Sequence, residues 1–466
     1  MNPEILNTNI ILKQLELTND QYICDEMSIT NEKFSINGIY NLHVFPDYSL
    51  LLHNGISYMK LNSTATKMLI RINKGYDVNH LFEEFNIDLD IIIRFIERLI
   101  NYRVIEKRIS NSSIYITGDF KEYYPLHCSI EITSKCNLRC KHCYMEADNL
   151  NYNQLDLNTI KKILSDFKNK VKTITLTGGD PLCHPNIKEI IRFAKHSGFK
   201  VRLNTSGYLL DEKFVIFLKK ERIDSVKLSL DGASASTHNY LRNSNLAFDR
   251  VIKSMKLLNH FGVSYSIGTV VGDFNINDID EIIKLAKSNN AKKVGVGIIQ
   301  PLGRAYANNP DLLISNNYNF LYKIDSILRK YRGFVTFDED GNWCDFIEKD
   351  QFNITSYFSY KKYISLMSCD GCGAGSKILF IDSSGNIKPC MMSNIILGNI
   401  LQQNKIRENI KKLLKVSTPE EQICLDCKNL FRCINCVARA SLYHKDVEQC
   451  NWYKDNYNLL NCFQKR

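Results

Sequence analysis

The chain has 466 residues, more than one ordinary hydrophobic core accommodates, so we expect two or three domains. Hydrophobic residues make up 44% and charged residues 24%, which is typical of a globular protein in water. No apolar run approaches the roughly 20 residues of a membrane span, and the N-terminal stretch MNPEILNTNIILKQLELTND lacks the basic and apolar segments of a signal peptide. We therefore expect a cytoplasmic protein without a membrane span.

Sixteen cysteines are unusual for such a protein. Because the cytoplasm keeps thiols reduced, we expect metal ligands or reactive thiols rather than disulfides. The formal net charge is +10, which would suit acidic partners. The lysines are spread along the chain, however, and this favours a solvated basic surface over a dedicated binding site.

The first elements form a small module over residues 34–110, preceded by a polar, weakly patterned extension over residues 1–33. Short alternating strands are predicted in YNLHVFP, SLLLHN and SYMKLN, and three helices follow. The first helix is predicted to have Ser63 as its N-cap and Gly75 as its stop. Strands combined with three helices give a winged-helix-like α+β domain.

The charges of this module argue against nucleic-acid binding. Between Asp77 and Arg103 there are six acidic residues and three arginines. A surface that binds phosphates should be basic. A strand edge that captures an extended peptide is therefore the better interpretation.

From residue 125 to 340 strands alternate with helices, which predicts parallel strands in an α/β barrel or open sheet. The predicted strands begin at Ser129, Thr173, Lys200, Ser225, Ser264 and Lys293. Four consecutive strands are followed by polar motifs: a cysteine loop, TGGDP, NTSG and SLDG. Because barrel chemistry collects at the carboxyl ends of the strands, we expect these motifs to build one site.

The first motif, CNLRCKHCY, contains Cys136, Cys140 and Cys143, separated by three and two residues. A 4Fe–4S cluster usually takes four cysteines, so three would leave one iron without a protein ligand. Catalytic metal sites keep such an open position, whereas structural sites close it.

This cysteine loop resembles that of the radical SAM enzymes, which have the same spacing after the first strand of a partial (β/α)6 TIM-like barrel. The resemblance implies that the open iron binds S-adenosylmethionine (SAM). It also implies that reduction then yields a 5′-deoxyadenosyl radical, which removes a hydrogen atom from the substrate. The cofactor supplies the chemistry, and the protein orients it.

Two further sites follow from the resemblance near the cysteine loop. Gly178, Gly179 and Asp180 resemble the family's Gly-Gly-acid motif, which contacts the amino group of SAM, with Asp in place of the commoner Glu. His142 stands where the family usually has an aromatic residue near the adenine. A tight turn remains an alternative role for the two glycines.

The third and fourth strand ends supply the remaining expected SAM contacts. Asn204 ends the third strand, and Ser229 and Asp231, at the end of the fourth, resemble ribose or carboxylate contacts. Arg242 could pair with the SAM carboxylate as a fork. Alternatively, Asp231 is a helix cap and Arg242 a surface residue.

A separate C-terminal domain is predicted over residues 341–466, where the strand–helix pattern stops and cysteines accumulate. A hairpin lies between Cys372 and Cys390. The later cysteines are Cys424, Cys427, Cys433, Cys436 and Cys450. On spacing alone, zinc and iron–sulfur sites are about equally favoured.

This domain resembles the SPASM domain, which carries two auxiliary 4Fe–4S clusters, so three clusters are expected in all. By this resemblance the first auxiliary cluster is held by Cys372, Cys390 and Cys436. The second is held by Cys424, Cys427, Cys433 and Cys450. Cys369 is the expected fourth ligand of the first cluster, and an open site for a substrate thiolate is the alternative.

The order of the three domains resembles that of radical SAM maturases of ribosomally made peptides, with a PqqD-like leader-recognition module first. LNSTATKMLIRINKG, PLHCSIEITSKCNLRCKHCY and CGAGSKILFIDSSGNIKPC resemble the subtilosin-type sactipeptide maturases. These form thioethers between a cysteine sulfur and an α-carbon of a precursor peptide. The resemblance implies a leader-bound precursor and an electron donor such as flavodoxin or ferredoxin, and no nucleic acid.

Two other functions stay open at this point. One is a SPASM peptide maturase that makes carbon–carbon or other links. The other is a non-catalytic, zinc-binding winged-helix regulator, which the acidic helix and the three-ligand loop argue against.

Overall fold

The computed structural model describes residues 32–53, 56–107, 114–148, 150–315, 317–337, 374–375, 377–401 and 408–410. The chain divides into two compact units, Met1–Ile116 and Thr117–Arg466. Most of the predicted N-terminal extension lies outside the described residues, and so do seven predicted cluster ligands. These are Cys369, Cys372, Cys424, Cys427, Cys433, Cys436 and Cys450.

In its described residues the first unit combines short strands with three helices. Its strands are β1 Ser35–Ile36, β2 Tyr40–Val44, β3 Tyr48–His53, β4 Ile56–Asn62, β5 Ile105–Glu106 and β6 Ile114–Gly118. Its helices are α1 Ser63–Ile72, α2 Val78–Phe85 and α3 Leu89–Asn101. Four strands form a sheet in the order β4-β3-β2-β6, and β1 pairs with β5.

Apolar residues at helical spacing hold the helices of the first unit against its strands. Ile92, Ile96 and Leu99 of α3 are fully buried, together with Leu69 of α1 and Leu42 of β2. The stripe on α3 is therefore the core-facing side of that helix, as its period predicts.

The predicted start of α1 is wrong by one residue. The N-cap is Asn62, whose side-chain Oδ1 accepts a hydrogen bond from the backbone N–H of Ala65 at 2.8 Å. Ser63 is the first helical residue. Asn62 ends β4 in an extended conformation, which lets its side chain reach the free N–H groups of the first turn.

In the described part of the second unit, seven parallel strands follow one another along the chain with helices between them. The strands are β7 His127–Thr133, β8 Thr173–Gly178, β9 Lys200–Thr205, β10 Ser225–Ser229, β11 Tyr265–Val271, β12 Val294–Ile298 and β13 Val335–Phe337. The helices are α4 Leu157–Phe167, α5 Ile187–His196, α6 Glu212–Lys220, α7 Ala235–Arg242, α8 Ala247–His260, α9 Ile279–Ser288, α10 Gly303–Asn308 and α11 Asn317–Lys330. The seven strands lie side by side in chain order from β7 to β13.

The six predicted strands are all present, so the α/β barrel fold is confirmed. β13 adds a short seventh strand parallel to β12, which the sequence pattern did not indicate. Among the described strands β13 and β7 do not pair, so the barrel is partial. Alternate strand residues such as Ile130, Leu176 and Leu228 pack under the helices in one apolar core.

A C-terminal hairpin extends the barrel sheet at β7. Its strands are β14 Ile378–Ile381, β15 Asn386–Lys388 and β16 Gly398–Asn399. β14 runs parallel to β7, and β15 returns antiparallel to β14 after a turn with Gly385 at φ +80°. That conformation favours glycine.

A buried carboxyl group joins the hairpin to the first barrel strand. Glu131 on β7 is 6% exposed and accepts a 2.6 Å hydrogen bond from Ser383 Oγ. Burial raises the pKa of Glu131 to about 7. The Ser383 hydrogen bond opposes this rise, nearby Asp382 adds to it, and Lys388 opposes it.

We predict that this carboxyl makes stability depend on pH. Because the folded state binds the Glu131 proton more tightly than the unfolded state, the stability that this proton contributes is lost as the pH rises from about 4.5 to about 7. Glu131→Gln removes the titration and keeps an acceptor for Ser383. The melting temperature, measured at a series of pH values between about 4.5 and about 7, should therefore fall less for the variant than for the natural protein. An equal fall in both proteins would contradict the assignment.

Candidate active site

The inner face of the barrel sheet is polar where its outer face is apolar. Asn204 on β9 and Lys227 on β10 are paired in register, and both are half-buried on the face turned away from the helices. Lys227 reaches across Gly268 of β11, where a Cβ would meet its Cε at 2.5 Å. Glu131 and Ser229 lie on the same inner face. The barrel therefore offers hydrogen-bonding groups to a ligand at its mouth.

The cysteine loop follows β7 and turns its thiols into a nearly buried cluster of side chains. Cys136 is 6% and Cys140 is 7% exposed, and Cys143 packs beside them with Tyr208. The backbone N–H of Leu138 donates to Cys136 Sγ at 3.4 Å. Burial raises the pKa of the Cys136 and Cys140 thiols. Iron binding, which needs thiolates, must therefore displace their protons.

Gly178 and Gly179 are required by the close approach of this loop to the end of β8. A Cβ at Gly178 would meet Thr133 O at 2.2 Å, and one at Gly179 would meet Lys135 O at 2.4 Å. The space is used for hydrogen bonds, because Gly179 N donates to Thr133 O at 2.9 Å and Asp180 N donates to Lys135 O at 2.8 Å. The glycine pair therefore fixes the chain immediately before Cys136.

The Asp180 side chain fastens the end of β8 to the end of β9. It is fully buried, and its carboxylate accepts hydrogen bonds from the hydroxyls of Thr205 and Ser206 and from the backbone N–H groups of Leu182 and Ser206. Burial raises its pKa, and these hydrogen bonds oppose the rise. The predicted contact between the Gly-Gly-Asp motif and SAM stays a prediction.

Asp231 and Arg242 form a buried ion pair that reaches the cysteine loop. Asp231 Oδ2 pairs with Arg242 Nη2, and Arg242 Nη1 donates to Cys140 Sγ at 3.7 Å. Asp231 Oδ1 accepts from Val270 N at 2.9 Å, and its backbone N–H donates to His238 Nδ1 at 3.0 Å. Arg242 is therefore neither a surface residue nor free to bind a carboxylate with both fork nitrogens.

A set of buried polar atoms around the loop has no partner among the described residues. They are Asn137 Nδ2, His142 Nδ1, Arg242 Nε and Arg304 Nη2. Each buried polar group without a partner costs about 1–3 kcal/mol, so a polar ligand is expected there. Burial lowers the pKa of His142, which favours a neutral ring at this position within the loop. These residues fit a cluster with SAM bound to it.

Three residues that the sequence analysis missed hold the outer side of the loop. Gly303, Arg304 and Asn309 follow β12, more than 150 positions from the cysteines. Arg304 Nε donates to Cys140 O at 2.8 Å, and Asn309 Nδ2 donates to Lys141 O at 3.1 Å. The signal available in the sequence was a Gly-Arg pair that follows a predicted strand after three intervening residues.

Two other cysteines lie near this loop. Cys183 Sγ is 3.9 Å from Asn137 Oδ1. Cys390 follows β15 and lies near Tyr144. Burial raises the pKa of the Tyr144 hydroxyl, and the nearby Glu131, Cys143 and Cys390 add to the rise. Cys390 is the one predicted auxiliary ligand that the described residues include.

The cysteine loop does not suit a single metal ion. Within the described ranges, no three His, Cys, Asp or Glu side chains are arranged to hold one ion together. In a 4Fe–4S cluster each cysteine binds a different iron, so the thiolates stand further apart than ligands of one zinc.

The comparisons with known proteins agree with this site. Residues 130–286 match the model of the Radical SAM superfamily. The antilisterial bacteriocin subtilosin biosynthesis protein AlbA of Bacillus subtilis is 25% identical over 90% of this chain and 96% of its own length. An AdoMet-dependent heme synthase of Methanosarcina barkeri is 27% identical over 66% of this chain and 90% of its own length.

A solved structure has the same fold. The crystal structure of Streptococcus suis SuiB bound to precursor peptide SuiA has a TM-score of 0.59 and 16% identity, and it covers 85% of this chain and 94% of that one. The partial barrel and its three-cysteine loop define an enzyme that works with SAM and a 4Fe–4S cluster. Residues 130–286 of this chain thus carry a radical SAM domain.

We predict that Gly179→Ala disrupts the cysteine loop. The added methyl group meets the backbone oxygens of Ser134 and Lys135 at 2.5 and 2.4 Å, and backbone cannot move aside as a side chain can. The variant should therefore lose iron from the loop cluster while the rest of the chain keeps its fold. After anaerobic purification, iron analysis measures the loss of the cluster and circular dichroism measures whether the fold is kept.

Gly297→Ala is the matched control, because a Cβ there meets its nearest atoms at an ordinary 3.9 Å. It should keep the iron content of the natural protein. Equal iron in the two alanine variants would contradict the steric argument.

Proposed function

We propose that this enzyme modifies a ribosomally made precursor peptide, forming thioether bonds between cysteine sulfurs and carbons of the same peptide. One observation carries the proposal: a radical SAM barrel shares its chain with a unit that presents a long edge strand. A barrel that acts on a small molecule needs no such edge. The similarity to a bacteriocin biosynthesis protein over 90% of the chain supports the same conclusion.

The edge strand is β4, which spans the seven residues Ile56–Asn62. In the described part of the sheet, β6 lies beside β2 at one end, and β4 at the other end pairs with β3 alone. An unpaired strand edge offers backbone N–H and C=O groups to an extended peptide. We assign the leader of the precursor to this edge.

The barrel residues bind and orient the reactants. When bound, the cluster and SAM together supply a deoxyadenosyl radical that removes a hydrogen atom from the substrate. Cys136, Cys140 and Cys143 hold the cluster, and Arg242 Nε and His142 are the atoms available to SAM. Asn204 and Lys227 lie half-buried on the inner face of the barrel sheet, and we assign the reacting segment of the peptide to this face.

The proposal also includes the auxiliary clusters and the electron donor. Two auxiliary clusters are held by Cys390 and by the seven predicted ligands that lie outside the described residues, with Cys369 as the fourth ligand of the first cluster. A flavodoxin or ferredoxin supplies the electron in the cytoplasm. Within the described ranges, no helix is both long and apolar enough to cross a bilayer.

A reaction on a tetrapyrrole is less well supported. The heme synthase relative matches 66% of the chain, which leaves a third of it without a counterpart. The seven-residue edge strand has no use in such a reaction.

Incubation with a candidate peptide tests the proposal. The reconstituted enzyme is mixed anaerobically with SAM, a reductant and each short cysteine-containing peptide encoded beside its gene. Each thioether should lower the peptide mass by two hydrogen atoms and remove one free thiol. The control is the variant with Cys136, Cys140 and Cys143 changed to Ala, which should leave the mass unchanged.

The peptide products distinguish the alternatives. A loss of two hydrogens with every thiol still free would indicate a carbon–carbon link and overturn the thioether assignment. SAM cleavage without any peptide change, for every peptide tried, would contradict peptide maturation.

A further inference from the structure

Arg304 connects the end of the sixth barrel strand to the cysteine loop. It stands at the start of α10, close after β12. Its Nε donates to Cys140 O at 2.8 Å, its Nη1 donates to Ala147 O at 3.1 Å, and its backbone N–H donates to Cys143 O at 3.0 Å. One residue therefore binds three carbonyls that together span the cysteine loop.

The neighbours of Arg304 are built for this approach. Gly303 has φ +51°, and a Cβ there would meet Cys143 O at 2.4 Å and Tyr144 O at 2.6 Å. Asn309 Nδ2 donates to Lys141 O and to Arg304 O, both at 3.1 Å. The segment 303–309 is thus fitted to the backbone of the loop rather than to a side chain that could rotate away.

The charge of Arg304 has no counter-ion in the described part of the chain. Arg242, which contacts the Cys140 sulfur, is paired with Asp231, and Arg139 is paired with Asp148. The two hydrogen bonds of the Arg304 guanidinium go to neutral carbonyls, and its Nη2 is buried without a partner. Arg304 is half-buried, but its Nη2 atom is fully enclosed, and withdrawing a charged group from water without an anion nearby is costly. Three thiolates around an iron–sulfur cluster would supply the missing negative charge.

We propose that Arg304 is a positioning residue of the cluster site. It holds the loop backbone in the shape that lets three cysteines bind one cluster, and its positive charge stabilises the reduced cluster. This role of Arg304 involves the barrel alone and needs no peptide substrate, so it is tested independently of the proposed function.

Two variants separate the backbone contacts from the charge. Arg304→Lys keeps the charge and loses the planar fork that reaches two carbonyls at once. Arg304→Gln loses both. Arg192→Gln is the matched control, because Arg192 is half exposed on α5 and pairs with Glu221 in the helical layer.

The measurements are the rate of iron loss to a chelator and the midpoint potential of the cluster. Electron paramagnetic resonance identifies this cluster by the change that added SAM causes in its signal. Arg304→Gln should lose its iron about tenfold faster or more, as expected when a residue supporting a metal ligand is removed. Its midpoint potential should shift downward, because a reduced cluster carries more negative charge. Arg304→Lys should lose iron faster while keeping the natural potential.

A natural iron-loss rate in Arg304→Gln, or a potential equal to that of the natural protein, would overturn the proposal. Arg192→Gln should match the natural protein in both measurements. If Arg304→Gln does not fold, the rate of iron loss from Arg304→Lys tests the proposal by itself. A natural rate of iron loss in that variant would mean that the fork is not needed.

Discussion

The geometry of the site depends on the close backbone contact between the cysteine loop and the end of β8. Gly179 N and Asp180 N donate to the carbonyls of Thr133 and Lys135, the residues that lead into Cys136. The distance permits no side chain at either glycine. The later contacts of the loop, including those with Arg242 and Arg304, can form only because this backbone contact fixes where the loop starts.

Around that contact the barrel supplies rigid supports from distant parts of the chain. The fourth strand contributes Asp231, which holds Arg242 against Cys140. Asn275 donates to the backbone oxygens of Asp231 and Val270, both at 2.9 Å, so the backbone that carries Asp231 is braced as well. A site assembled from strand ends in this way is more precise than one built from a single loop. This rigidity suits chemistry in which water must be kept from a reactive radical.

Much of the fold could be predicted from the sequence, and less of the site. The parallel strands follow from regular strand–helix alternation, and the cluster loop from three cysteines within eight residues. Asp180 and Arg242 were found as motif residues, but their hydrogen bonds to Thr205 and Cys140 could not be predicted, because those depend on how neighbouring strands align. Arg304 lies 164 positions from Cys140, and only the folded barrel brings them together.

All of these contacts serve a barrel loop that holds a cluster with one iron open to SAM. The most direct test is the electron paramagnetic resonance spectrum of the reduced protein with and without SAM, compared with the variant in which Cys136, Cys140 and Cys143 are Ala. We expect a signal in the natural protein that changes when SAM is added, and no such change in the variant. A SAM-dependent change that survives in the variant, or zinc in place of iron in the natural protein, would contradict it.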